Sequence, residues 1–218
     1  MTFDDFEAQV RQALAGPLPG LTAQRALAPW PRRPPPPAGT PRRDAAGLLL
    51  LYPAPDPSLI LTVRTRSLPQ HGGQVSLPGG AVEPGETIAE AALREAREEI
   101  GLADEGVRLL GALTPLDIDV SRFRLHPVVG AASRRPALAP AAGEVERILE
   151  VPVARLRDPD WFRLERRWRH GARFWVPSFH VEGGTVWGAT AMVLAEFLWL
   201  TGWRPAPGAG APPDSRQG

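Results

Sequence analysis

The sequence contains no cysteine and no lysine, and no unbroken apolar run long enough to span a bilayer. Without cysteine there are no disulfides, thiolate metal sites or thiol nucleophiles, so any bound metal is held by oxygen or histidine. Without lysine, all 25 basic side chains are arginine. Any side-chain cation that grips a phosphate is then a guanidinium, able to bind two oxygens at once. A strong charge of either sign is also missing: the net charge is +1, which gives no global attraction to nucleic acid or to an anionic membrane. The opening residues, Met1 to Glu7, lack the basic and apolar regions of a secretory signal. These absences lead to the expectation of a soluble cytoplasmic protein whose partner is a small molecule.

What is present is a core-forming composition, 43% hydrophobic over 218 residues, enough for one principal domain. Thr2 followed by Phe6, Val10 and Leu14 at helical spacing reads as a capped amphipathic helix. Residues 28 to 42 are dense in proline and read as an extended linker unable to build a ladder or a helix. Apolar runs at 44–52, 59–65, 107–113, 123–129, 148–152 and 174–181 read as strands. Residues 156 to 162 read as a turn or short helix, and 189–201 as a closing helix. With no internal repeat, these elements predict an α/β sandwich. The expected division is an N-terminal helix and linker over 1–43, a catalytic domain over 44–204, and a tail rich in Pro, Gly and Ala over 205–218 that is predicted to be disordered.

The chemistry concentrates between residues 78 and 102. Gly79, Gly80, Pro84 and Gly85 predict a loop up to Glu86. From Thr87 the residues are good helix formers, and Gly101 stands where a helix would stop. On a helical wheel Ala89, Ala92, Leu93, Ala96 and Ile100 share one arc, while Glu95, Glu98 and Glu99 share another. Like charges one turn apart repel unless a cation lies between them, and several carboxylates on one face suit a hard divalent ion such as Mg²⁺. Ala91, one turn before Glu95, leaves room for the ion and its waters.

Gly80, Glu86, Arg94, Glu95, Ala96, Glu98, Glu99, Gly101 and Leu102 stand at the spacing of the Nudix box, and the stretch resembles that motif closely. The resemblance implies an α/β/α sandwich with a mixed central sheet. It implies hydrolysis of a nucleoside diphosphate linked to another moiety, Mg²⁺ or Mn²⁺ as cofactor, and a homodimer. It makes Glu95, Glu98 and Glu99 the metal ligands and Arg94 the side chain that orients a box glutamate. The water-activating base is either Glu98 or Glu144, with Glu98 favoured.

The segment ahead of the box resembles the signature of the coenzyme A pyrophosphatase branch, carried by Leu61, Thr62, Arg64, Gly73, Pro78, Gly79 and Gly80, with mild substitutions at Ile60, Thr65 and Leu77. Pro69 stands where that signature has its second arginine. Glu144 to Pro152, and Val186-Trp187-Gly188-Ala189-Thr190-Ala191, resemble two further pieces of the same branch. On this resemblance the substrate is coenzyme A or a derivative, split to 3′,5′-ADP and 4′-phosphopantetheine. Arg64, Arg66, His71, Gly79 and Gly80 are the expected substrate contacts. The competing expectations are a Nudix hydrolase of ADP-ribose, a dinucleotide or a nucleoside triphosphate, and a non-catalytic nucleotide-binding module. A structural or interaction protein, suggested by the proline-rich segment and seven tryptophans, is the weakest reading.

Overall fold

The computed structural model describes residues 1–31, 37, 39–66, 72–103, 106–169 and 172–205. In chain order it contains α1 (Phe3–Leu14), α2 (Gly20–Ala26), β1 (Arg43–Tyr52), β2 (Ser58–Arg64), β3 (Val75–Ser76), β4 (Gly79–Ala81), α3 (Ile88–Ile100) and β5 (Val107–Ala112). There follow β6 (Leu116–Ile118), β7 (Phe123–Ala132), β8 (Val145–Pro152), α4 (Val153–Leu156), a 3₁₀ turn at Pro159–Trp161, β9 (Phe162–Arg169), β10 (Ala172–Val181), β11 (Gly184–Trp187) and α5 (Ala189–Leu200).

The main sheet runs β3-β2-β1-β7-β5, with β4 added to β1, β6 to β7 and β8 to β2. The β1–β7 pair is parallel over Arg43↔Phe123 to Leu51↔Ala131, while its other pairings are antiparallel. This is the mixed sheet that the sequence predicts. A second antiparallel sheet, β11-β10-β9, stands beside it.

Strand β1 is a continuous apolar run because both of its faces are covered. Leu48, Leu50 and Tyr52 pack with Ala92, Ala96 and Ile100 of α3 on one side. Leu49 and Leu51 pack with Phe6 and Val10 of α1 and with Val193, Leu194 and Phe197 of α5 on the other. Helix α5 is apolar almost all round and correspondingly buried. Each fully buried Leu or Phe contributes about 1.5–3 kcal/mol relative to exposure, so Phe6 (2% exposed) and Val10 (0%) are enough to seat α1 on the sheet.

Three local expectations differ from the structure. Gly79–Ala81 is not a loop but β4, paired with β1 through Ala45↔Ala81, Ala46↔Gly80 and Gly47↔Gly79. Glycine here serves close approach, since a Cβ on Gly79 would stand 2.7 Å from Gly47 Cα and closer still to the Ala46 carbonyl oxygen. Trp30, inside the proline-rich stretch, does form a ladder contact: its N–H donates to the Trp175 carbonyl at 2.8 Å and the Trp175 N–H returns the bond at 2.7 Å. Residues 32–36 and 38 of that stretch, and nearly all of the expected tail (206–218), lie outside the described residues. The short elements α2, β3, β6, β9 and β11 are additions to the strand and helix pattern read from sequence.

Candidate active site

Helix α3 is fixed at both ends by its own sequence. The Thr87 hydroxyl oxygen accepts from the Glu90 N–H and the Glu90 carboxylate accepts from the Thr87 N–H, a capping box worth about 1 kcal/mol. Gly101 takes the left-handed conformation (φ 65°) that ends the helix. Between them the predicted apolar arc is met by the sheet: Ala92, Ala96 and Ile100 are fully buried.

The carboxylates occupy three different environments. Glu98 is 57% exposed at its side chain and Glu95 16%. Glu99, with the same charge and one turn of helix from Glu95, is 2% exposed. Its Oε2 accepts the Gly79 N–H at 3.0 Å and its Oε1 accepts Nη1 of Arg64 at 3.1 Å. The helical wheel places Glu99 beside its neighbours on a charged face, but β4 and the end of β2 fold over it. Burial raises its carboxyl to about 7, the Gly79 N–H and Arg64 pull in the opposite direction, and Glu95 and Glu144 push it up further. Burial likewise raises Glu95, against the lowering effect of Arg94.

Arg94 is the hub of the loop-to-helix junction. Its Nε and Nη2 form a fork on the two oxygens of Glu86 at 2.9 and 3.1 Å, and Nη2 also donates to the Ala81 carbonyl at 3.0 Å. Its Nη1 donates to both Glu95 Oε1 and Glu98 Oε2, each at 2.9 Å. With 19% exposure and three acidic partners it is not an isolated surface ion pair, and the fork holds Glu86 below the usual carboxylate range. One side chain thus ties β4 and the following loop to the helix face that carries the acids.

Arg64 is aimed by an irregularity at the end of β2. The β2–β8 register slips between Val63 and Arg64, as strands do where a side chain must be redirected. The Thr65 N–H then donates to the Glu144 carbonyl at 2.8 Å. The slip brings exposed Glu144 near enough to Glu95 and Glu99 to act on both electrostatically. Arg66 is not brought in: it is 82% exposed, 3.8 Å from Glu146, and does not line the cleft beside the box. His71 and Pro69 lie outside the described residues.

Among the described residues no three acidic or histidine side chains are already closed around a point as an ion cage. The donor set nevertheless fits a hard divalent cation. Four carboxylates (Glu86, Glu95, Glu98, Glu99) face two guanidiniums (Arg64, Arg94), leaving two negative charges when all are ionised. Gly80 keeps the space beside them open, because a Cβ there would stand 2.5 Å from Cδ of Glu95.

The raised Glu99 carboxyl has a measurable consequence. The folded state binds its proton more tightly than the unfolded chain, so this group's stabilising contribution is full below about 4.5 and is lost as pH rises through about 7. In chelator-treated protein, Glu99→Gln is expected to shrink the fall in Tm across that window relative to wild type. Parallel pH profiles for the two proteins would contradict the assignment.

From Arg64, Gly79 and Gly80 a cleft of about 1240 Å³ runs over β1 at Ala45 and Gly47 towards Trp187 and Met192. Sequence reasoning missed several of its walls, including Leu21 of α2 and Trp168 of β9, because nothing local in the chain signals that these short elements converge.

A family model for the NUDIX domain matches residues 41–173. A curated relative from Pectobacterium atrosepticum, described as uncharacterized Nudix hydrolase NudL, is 36% identical over 171 residues, spanning 75% of this chain and 85% of that protein. One of the same description from Klebsiella pneumoniae is 36% identical over 167 residues with the same coverage. Among solved structures, a Nudix hydrolase from M. smegmatis, RenU, aligns at 28% identity over 55% of this chain and 76% of its own, with a TM-score of 0.47. With its carboxylate helix, its paired glycine strand, the match to the family model and these two curated relatives, the chain belongs to the Nudix hydrolase family.

Proposed function

We propose that the protein is a metal-dependent diphosphatase that hydrolyses coenzyme A or its derivatives to 3′,5′-ADP and the corresponding 4′-phosphopantetheine. Hydrolases of this family generally use divalent metal ions. Glu95, Glu98 and Glu99 are the residues that would hold them here, with Mg²⁺ or Mn²⁺ suited to an all-oxygen set. When bound, such ions neutralise diphosphate oxygens and lower the pKa of coordinated water.

The protein's own groups supply the rest. Gly79 and Arg64 fix the two oxygens of Glu99, so its carboxylate is preorganised rather than free to rotate. Arg94 orients Glu95 and Glu98 through one nitrogen and anchors itself through the other two. The exposed Glu98 carboxylate, with Arg94 as its hydrogen-bond donor, is the group that would take the proton of the attacking water, and Glu144 is the second candidate for that role. Arg64, which lines the cleft while holding Glu99, is the residue that would contact a substrate phosphate.

The observation that carries the substrate is the cleft itself. It begins at Gly79 and Gly80, its volume lies above the roughly 300–1,000 Å³ of ordinary small-ligand sites, and the branch-like residues Arg64, Gly79, Gly80, Trp187 and Thr190 all line it. Turnover of coenzyme A and ADP-ribose should be compared side by side with Mg²⁺ and with Mn²⁺. The expected result is a kcat/KM for coenzyme A at least about tenfold higher, a 1.4 kcal/mol difference in transition-state binding. Good turnover of ADP-ribose with none of coenzyme A would assign the site to the other substrate.

A further inference from the structure

Large apolar side chains left open to solvent are not scattered evenly over this protein. Among the described residues six are exposed, and three of them, Leu21 (49%), Val120 (47%) and Trp168 (66%), line the cleft that begins at the box. They come from three separate elements: α2, the turn after β6, and β9. A concentration of uncovered apolar surface inside a concave site marks ligand contact.

The α2 side of this cleft lies outside the stretch matched by the family model, which starts at residue 41. It is nevertheless built into the fold by a buried carboxylate. Glu196 of α5 is 0% exposed. It accepts the Gly20 N–H at 3.1 Å, Nε2 of Gln24 at 2.8 Å, and the N–H and hydroxyl of Thr114 at 3.2 and 2.6 Å. The far end of the same segment is held by the two Trp30–Trp175 backbone bonds. A seven-residue helix would not persist alone, so these contacts are what set its position against the cleft. Residues 20–31 contribute Leu21, Arg25, Ala28, Pro29 and Pro31 to the lining of the cleft. Apart from Arg25, these side chains carry no polar atom to read a base edge, and proline also lacks a backbone donor.

We propose that residues 20–31 form a specificity wall that, with Trp168 across the cleft, takes up a long apolar arm of the substrate beyond its diphosphate. Building on the coenzyme A reading above, that arm is the acylated pantetheine chain, so long-chain thioesters are favoured over short ones and over compact nucleotides.

The test uses the full chain and its Leu21→Asp variant. Leu21 is half exposed, so the variant should fold, and its Tm checks this. First, kcat/KM is measured for acetyl and dodecanoyl coenzyme A. Second, dodecanoyl pantetheine, which has no nucleotide, is tested as a competitor against whichever diphosphate the protein hydrolyses fastest. The expected result is a preference of about tenfold or more for the long chain in wild type, reduced towards one in Leu21→Asp through KM. Competition by dodecanoyl pantetheine should weaken by a similar factor. An unchanged chain-length ratio in the variant overturns the wall while leaving coenzyme A hydrolysis standing. Should ADP-ribose be cleaved and coenzyme A not, the parent reading fails, and the competition assay still decides: a Leu21-sensitive block by the acyl chain supports an apolar-arm site, and no block overturns it. Sensitivity to Leu21→Asp of adenosine competition alone would overturn it as well, by making the wall a base site.

Discussion

Glu98→Gln is expected to lower kcat for diphosphate hydrolysis by about 10²–10⁴, the range for loss of a general base, with little change in stability. The Arg94 fork on Glu86 and its bond to Glu95 survive the change, and the pair that is altered, Arg94–Glu98, is largely exposed on its acidic side. Such pairs contribute about 0–1 kcal/mol, so Tm should move by no more than roughly 4 °C. Glu144→Gln is the necessary companion. Glu144 lies close enough to act on Glu95 and Glu99, but its place in the site is fixed through its backbone carbonyl rather than its carboxylate. Its loss should cost less than about tenfold in kcat. A fall of 10² or more at Glu144 with a small one at Glu98 would reverse the assignment of the base.

Gly79→Ala should damage fold and site together. The added Cβ meets backbone rather than a movable side chain, with Gly47 Cα at 2.7 Å and the Ala46 carbonyl oxygen nearer. Strand β4 must therefore move away from β1. Overpacking of this kind costs about 1–3 kcal/mol, a Tm decrease of roughly 2–12 °C for a domain of this size. The same shift draws the Gly79 N–H away from Glu99 and should lower activity by about 10–100-fold, as loss of a partner that orients a ligand does. Gly85→Ala separates the two effects. Gly85 has φ +85° and open space around its missing Cβ, so alanine there should cost only about 1–2 kcal/mol of backbone strain and leave the Glu99 contact intact. Equal losses of activity at the two positions would show that the close approach of β4 to β1 is not what matters.

How far the sequence foretold these features depends on whether the physics involved is local. The start of α3 at Thr87, its stop at Gly101 and its buried arc of Ala92, Ala96 and Ile100 follow from capping, backbone freedom and helical period, all written within the segment itself. The apolar runs at 44–52 and 123–129 read as strands for the same reason, and they lie within β1 (Arg43–Tyr52) and β7 (Phe123–Ala132). By contrast, Gly79 and Gly80 look like a loop to any local rule, and only the neighbouring β1 backbone turns them into a strand. Glu99 sits with Glu95 and Glu98 on a helical wheel, and only the fold-over of β4 and Arg64 buries it. The wall of α2 is seven residues long behind Pro19 and Gly20, with no periodicity to read. Its position depends on Glu196, far along the chain, as the Trp30 ladder depends on Trp175. Arg66 followed Arg64 in sequence, but the register slip at Val63 turns one residue into the site and leaves the other in solvent.

Together, this box and cleft are proposed to split the diphosphate of coenzyme A. Identification of the products by mass spectrometry, from the purified 218-residue chain incubated with coenzyme A and Mg²⁺ or Mn²⁺, is the decisive measurement. The account predicts 3′,5′-ADP and 4′-phosphopantetheine in equal amounts, nearly abolished by Glu98→Gln and by chelation of the metal. Intact coenzyme A after prolonged incubation, under conditions where ADP-ribose or another nucleotide is cleaved, would contradict it.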